Sequence, residues 1–174
     1  MKNLEIESWG YQLWYTGRDR NHNGVGVIIN KQLLEDVVEV RRKGDRILLV
    51  KLILSKEIFN VISVYAPQVG LDEYSKQQFW ENLDEIVEGI PIEERFFIDG
   101  GLNGHVGTSR YGFNSVHEGF GFGKRNEPGN SILNFALSYD LILANTWFRK
   151  RESLDETWSL LEVDQVWPNR FLFN

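Results

Sequence analysis

Five β-rich runs precede the first helical period in this chain, and that order is the strongest constraint on how it can fold. They are YQLWYT (11–16), VGVIIN (25–30), DVVEV (36–40), RILLVKLIL (46–54) and FNVISVYAP (59–67). GRDRNHNG joins the first two; its Asn and Gly residues supply the positive φ that a turn demands, which predicts a hairpin with a long basic tip. Arg41-Arg42-Lys43-Gly44-Asp45 separates the next two, predicting a second hairpin with Gly44-Asp45 in its turn. The fifth run ends at Pro67, which cannot continue a central ladder.

From Asp72 to Glu88 the period changes. Phe79, Leu83, Ile86 and Val87 recur at helical spacing, Asp72 can cap the start and Gly89 can close the end. The opposite face, with Glu81, Asp84, Glu85 and Glu88, is a solvated acidic surface. RFFID (95–99) then reads as a strand, 100–128 as a Gly-rich loop, NSILNFALSY (130–139) as a short helix and LILANT (141–146) as a further strand. Strands first, then strand–helix–strand, indicate a mixed α/β layered domain. Residues 149–174 show no clean periodicity.

With 174 residues and 42% hydrophobic content, one domain and one core are the expectation. No apolar run reaches the roughly 18 residues that span a bilayer, and MKNLEIESWGYQLWYTG lacks a signal pattern, so a soluble, intracellular chain without membrane partners is expected. The absence of cysteine removes disulfides, thiolate nucleophiles and Cys-rich zinc sites. His22, His105 and His117 are scattered, so any metal would be a hard cation held by oxygen. A net charge of −6 argues against a broad polyphosphate-binding surface and leaves room for one small basic cleft.

The stretch IDGGLNGHVG (98–107) places Asn103 just past a strand, where its amide can bind a phosphate oxygen or orient an attacking water; by itself, Asn-Gly there is ordinarily a turn. Tyr65 ends an apolar strand before Ala66-Pro67, so its phenol either emerges at the strand end or is a half-buried aromatic with its hydroxyl in water. GFGFGKRNEPGN (119–130) has the look of a phosphate loop, but Arg follows its Lys where Ser or Thr is needed. It reads as a loop in which Asn126 or Asn130 starts the next helix. Arg18, Arg20 and His22 form a positive tip able to touch a nucleic-acid backbone, as do Arg41, Arg42 and Lys43, although solvated hairpin tips are commonly charged.

Taken in order, WYTGRDRNHNGVGVIIN, KGDRILLVKLIL, NVISVYAPQVGLDE, GGLNGHVG and GFGFGKRNEPGNSILNFALSYDLILANTWFRKR closely resemble the endonuclease/exonuclease/phosphatase superfamily. The likeness is to its retrotransposon-type, abasic-endonuclease-like branch, often labelled craniofacial development protein 2-like, and runs from about Trp9 to Arg151. The resemblance implies an α/β (α+β) fold, a partial four-layered sandwich of the DNase I-like type with mixed sheets. It also implies magnesium-dependent hydrolysis of nucleic-acid phosphodiesters and an intracellular location, the nucleus included. Carried over by position, Tyr65 matches the tyrosine beside the scissile phosphate and Asn103 the asparagine of Gly-Asp-x-Asn. Thr157-Trp158 resembles the later Thr-Trp segment, and Asp164 in EVDQVW echoes the Ile-Asp-Tyr segment at shortened spacing.

The departures bear on activity. The family Asp two residues before Asn is here Gly101, and the nearest carboxylate, Asp99, sits back by ~6–7 Å on the strand. Unless the strand slides by two residues, Asp99 cannot replace that base, because proton transfer needs contact within ~3 Å or one bridging water. The Gln-Glu-Thr and Ser-Asp-His segments of the family have no counterpart within the chain, so no metal ligands are assigned and magnesium is expected to bind poorly or not at all. The expectation is a domain incomplete at both ends, with impaired catalysis and exposed sheet edges that favour a protein partner or oligomer. The alternatives are a non-catalytic module binding nucleic acid or protein, and a product without function.

Overall fold

The computed structural model describes residues 5–8, 10–17, 23–147 and 170–172. The chain divides into two compact units, Met1–Asn103 and Gly104–Leu172.

The first unit holds two sheets and a long helix. β1 (Glu5–Ser8), β2 (Tyr11–Tyr15) and β3 (Gly26–Asn30) form an antiparallel sheet in that order. β4 (Val37–Lys43), β5 (Ile47–Leu54) and β6 (Glu57–Tyr65) form an antiparallel meander, and β7 (Arg95–Gly101) lies parallel beside β6. Parallel pairing requires a long crossover, which α1 (Glu73–Glu88) supplies. This is the mixed α/β layering that the order of runs implies, arranged as the α+β sandwich with a mixed sheet that the resemblance implies.

Its layers follow from β5, whose ILLV start is buried on both faces. Side chains alternate across a strand. Leu48, Val50 and Leu52 pack with Trp14 of β2 and Ile29 of β3, joining the sheets face to face. Ile47 and Leu49 point the other way and are also buried. A strand covered on both sides has no polar face to show, which is why RILLVKLIL reads as a nearly continuous apolar run. α1 forms as the periodicity predicts: the Asp72 carboxylate accepts from the Ser75 N–H at 2.8 Å, and Phe79, Leu83, Ile86 and Val87 form its buried face.

Several boundaries differ from expectation. Arg41, Arg42 and Lys43 are not a hairpin tip but the end of β4; the turn is confined to Gly44, at φ +62°, and its neighbours. β4 is the outermost strand of its sheet, and edge strands accommodate charge that central ones do not. Arg41 pairs with Glu39 at 2.7 Å, Arg42 donates to the Tyr15 carbonyl and Lys43 meets Glu85. RFFID continues through both glycines to Gly101. LILANT is a strand only at β8 (Ile142–Leu143); the Thr146 hydroxyl donates to the Leu143 carbonyl at 2.8 Å and curls the chain into a 3-10 turn.

In the second unit, β8 pairs in parallel with β9 (Arg170–Leu172), and α2 runs Glu127–Ser138, three residues ahead of the predicted start. Asn126 is its cap, accepting from the Gly129 N–H at 2.9 Å, and Pro128 is tolerated in the first turn, where no intrahelical donor is needed.

Candidate functional site

β6 and β7 pair without interruption from Phe59 opposite Arg95 to Tyr65 opposite Gly101, so both strands end at the same level. The Ala66 N–H then donates to the Gly101 carbonyl at 2.8 Å, extending the ladder one step. Asn103 turns back at φ +51°, a left-handed conformation that asparagine tolerates better than most residues, and its Nδ2 donates to the Ala66 carbonyl at 2.6 Å. The ladder and the turn together bring Tyr65 and Asn103, which are distant along the chain, to one strand end as half-buried side chains.

A third residue joins them that sequence reasoning missed. Arg46, at the start of β5, accepts from the Tyr65 N–H through its carbonyl at 2.9 Å and returns Nη1 to the Tyr65 carbonyl at 3.1 Å. Its guanidinium lies 5.6 Å from the centre of the Tyr65 ring, within cation–π range. Only the register reveals it: with Ile47 opposite Val64, the next pair outward is Arg46 and Tyr65. Gln68 completes the rim, donating Nε2 to the Tyr65 hydroxyl at 3.4 Å. Guanidinium, phenol and amide are the groups that hold phosphate oxygens as negative charge builds on them.

The two glycines of β7 are not equivalent. Gly100 has φ +148°, and a Cβ there would fall on the Val64 carbonyl, so the close strand approach admits nothing larger. Gly101 has no such φ, and its Cβ would stand 3.1 Å from Cδ2 of Tyr65, a contact that a small ring movement relieves. A carboxylate at 101 would therefore lie against the tyrosine ring.

Asp99 does not reach that place. The register holds without a slide and sets it opposite Ser63, two residues back from the Tyr65 pair. Its carboxyl is pushed above the ordinary range by desolvation, opposed only by a hydrogen bond from the Gly100 backbone. The side chain is nonetheless exposed, so water screens it and the shift carries little energetic weight. Among the described residues no group of three or more His, Asp or Glu side chains could hold a metal ion.

Arg18, Arg20, His22, Thr157, Trp158 and Asp164 lie outside the described residues. His117, within the second unit, is a structural residue: it is buried, its Nδ1 accepts from the Gly119 N–H at 2.9 Å and its Nε2 lies 3.0 Å from the Gly107 carbonyl. With Nδ1 accepting, the proton sits on Nε2. Burial holds its pKa below the usual imidazole value. Asn126 in GFGFGKRN caps a helix and also accepts from the His105 N–H, which accounts for its place without a phosphate.

No family model matches the chain. Among curated proteins it is similar to craniofacial development protein 2 of Bos taurus, 29% identical over 156 residues that make up 89% of this chain and 26% of the relative. The protein of the same name from Tragulus javanicus is 30% identical over 158 residues, covering 89% of this chain and 27% of the relative. The chain therefore spans little more than a quarter of the length of either protein.

Proposed function

We propose that the chain is part of an endonuclease-like phosphodiesterase domain of the endonuclease/exonuclease/phosphatase kind that retains groups for holding a nucleic-acid phosphate but lacks the carboxylate needed to hydrolyse it. The observation that carries this reading is the strand end itself. Tyr65, Asn103 and Arg46 converge there through hydrogen bonds and a ring contact, while position 101, which faces the tyrosine, is glycine.

The magnesium ion that such chemistry implies does not fit the described donor set. A magnesium ion is held octahedrally by about six oxygens, one or two of them carboxylate. Position 101 contributes none, and Asp99 stands two residues back along the strand. What the residues themselves do is bind: Arg46 supplies charge, Tyr65 a hydroxyl and Asn103 a fixed amide beside the strand end.

The expected outcome is salt-sensitive binding of an abasic DNA duplex without cleavage, read by fluorescence anisotropy and gel assay in magnesium. Arg46→Ala should weaken binding by roughly tenfold, the loss of one charge-assisted contact. Nicking that disappears in Asn103→Ala would overturn the inactive part of the reading, and unchanged binding in Arg46→Ala would overturn the site.

A further inference from the structure

The second unit carries large apolar side chains in water: Tyr111 is 90%, Phe120 45%, Phe122 51% and Trp147 43% exposed. Single exposed rings are ordinary, whereas rings brought together by the backbone mark a candidate contact surface. The backbone gathers three of the segments that bear them. The Phe120 N–H donates to the Thr146 carbonyl at 3.1 Å, placing Phe120 next to the residue that precedes Trp147. On the other side a Cβ at Gly119 would meet the Arg110 side chain at 3.3 Å, and one at Gly121 would fall on the Gly107 carbonyl, so the segment passes against residues 107–110.

The loop is also pinned rather than loose. His117 bridges Gly119 and Gly107. Arg110 donates to the His117 and Asn114 carbonyls, Arg125 donates to the Val106 and Ser109 carbonyls, and the Arg125 guanidinium lies 4.7 Å from the centre of the Phe113 ring. Rings presented on a braced loop lose little freedom when a partner stacks on them.

Charge selects the partner. Residues 104–126 hold three cations, Arg110, Lys124 and Arg125, against one carboxylate, Glu118, giving +2 in a chain whose net charge is −6. Arg110 meets Glu118 at 3.2 Å, which leaves Lys124, itself exposed and close to Phe122 in sequence, as a cation for an approaching anion. Exposed flat rings interleaved with positive charge suit a polyanion that carries flat apolar faces.

We propose that this loop is a stacking surface for unpaired nucleobases, so that the second unit binds single-stranded nucleic acid. Successive bases stack on Phe120 and Phe122 while Lys124 meets the backbone, without sequence readout, because every base has a π face. The inference goes beyond the phosphate site of the first unit, since stacking needs neither Tyr65 nor hydrolysis.

The test is anisotropy of a fluorescein-labelled oligothymidylate of about 12 nucleotides, within the span of a single stacking module. Wild-type chain should bind it more tightly than a blunt duplex, and Phe120→Ala/Phe122→Ala should weaken that binding by about tenfold or more. Both rings are about half exposed, so the variant should fold, and its melting is recorded beside the parent's. Phe120→Tyr/Phe122→Tyr, which keeps both aromatic faces, should bind as the parent does. The loss should be the same in an Arg46→Ala background, which separates failure of this surface from failure of the phosphate site. Equal affinity for duplex and single strand, no binding at low salt, or self-association that the double variant abolishes would each overturn the proposal.

Discussion

The β6–β7 pair is closed at one end and open at the other. At the closed end Asn60, fully buried, donates Nδ2 to Glu94 Oε2 at 2.8 Å and to the Arg95 carbonyl at 3.2 Å, and Lys51 Nζ lies 3.0 Å from the same carboxylate oxygen. Burial pushes the Glu94 carboxyl up, yet the hydrogen bonds from Asn60 and Lys51 and the charge of Lys51 more than offset it, leaving the pKa below the ordinary value. At the open end the same two strands finish on Tyr65 and Gly101 with no carboxylate between them. A buried carboxylate whose partners come from the protein stabilises the fold; the half-buried Arg46, Tyr65 and Asn103 at the other end carry more hydrogen-bonding positions than their protein partners use, which leaves room for a ligand. The strands thus divide stability and binding between their two ends.

The largest expected effect tests whether the open end rests on rigid backbone. Gly100→Ala would drive a Cβ onto the Val64 carbonyl at a backbone angle that side chains rarely adopt. Either the strands part or the chain is strained, and the loss should exceed about 3 kcal/mol, measured as a shift in denaturant midpoint. A variant within about 1 kcal/mol of the parent would show that the strand end yields easily, and the division between the ends would fail.

The closed end should respond next. Glu94→Gln removes the charge while keeping the shape, leaving Lys51 beside a neutral amide and Asn60 with a weaker acceptor. A loss of about 2–3 kcal/mol is expected, toward the low end for a broken buried pair because Lys51 retains some contact with water. The pH dependence carries the same signature. A carboxyl with a depressed folded pKa binds fewer protons folded than unfolded, so its contribution is present above the ordinary carboxyl value of 4.5 and is lost as pH falls below it through the folded pKa. Glu94→Gln should flatten that part of the stability curve, and an unchanged acid limb would remove Glu94 from the account.

Much of the fold was legible in the sequence, whereas the buried Asn60–Glu94–Lys51 cluster was not. The hairpins and α1 could be read because periodicity, capping and turn residues agree locally: Asp72 caps where the apolar period begins, and Gly44 turns where two β-rich runs meet. Tyr65 and Asn103 could be placed at strand ends for the same reason. What escaped were features set by neighbours. β1 (Glu5–Ser8) is a strand because β2 pairs with it, which EIES does not announce. Arg41 to Lys43 are strand because β4 is an edge, and Gly100 and Gly101 are strand because Val64 and Tyr65 hold them. Arg46 became a site residue only once β5 and β6 were in register. Spacing along the chain carries turn chemistry; it does not carry which residue stands across the sheet.

The smallest effect is the most discriminating, because it concerns the glycine that the fold does not require. At Gly101 a methyl group would press on Cδ2 of Tyr65 at 3.1 Å, and the ring edge, half-buried and rimmed by Gln68, can move by a few tenths of an ångström. Opposing that contact is the gain from restricting the unfolded chain, about 0.4–1 kcal/mol for glycine to alanine at a compatible angle. Gly101→Ala should therefore lie within about 1 kcal/mol of the parent, against the loss of more than about 3 kcal/mol at its neighbour. The same reasoning predicts that Gly101→Asp folds, with its carboxylate against the tyrosine ring and its stability lower at neutral than at mildly acid pH, where the charge is neutralised. If Gly101→Ala instead costs as much as Gly100→Ala, position 101 is closed by packing, and glycine there reflects the needs of the fold and not the loss of a catalytic group.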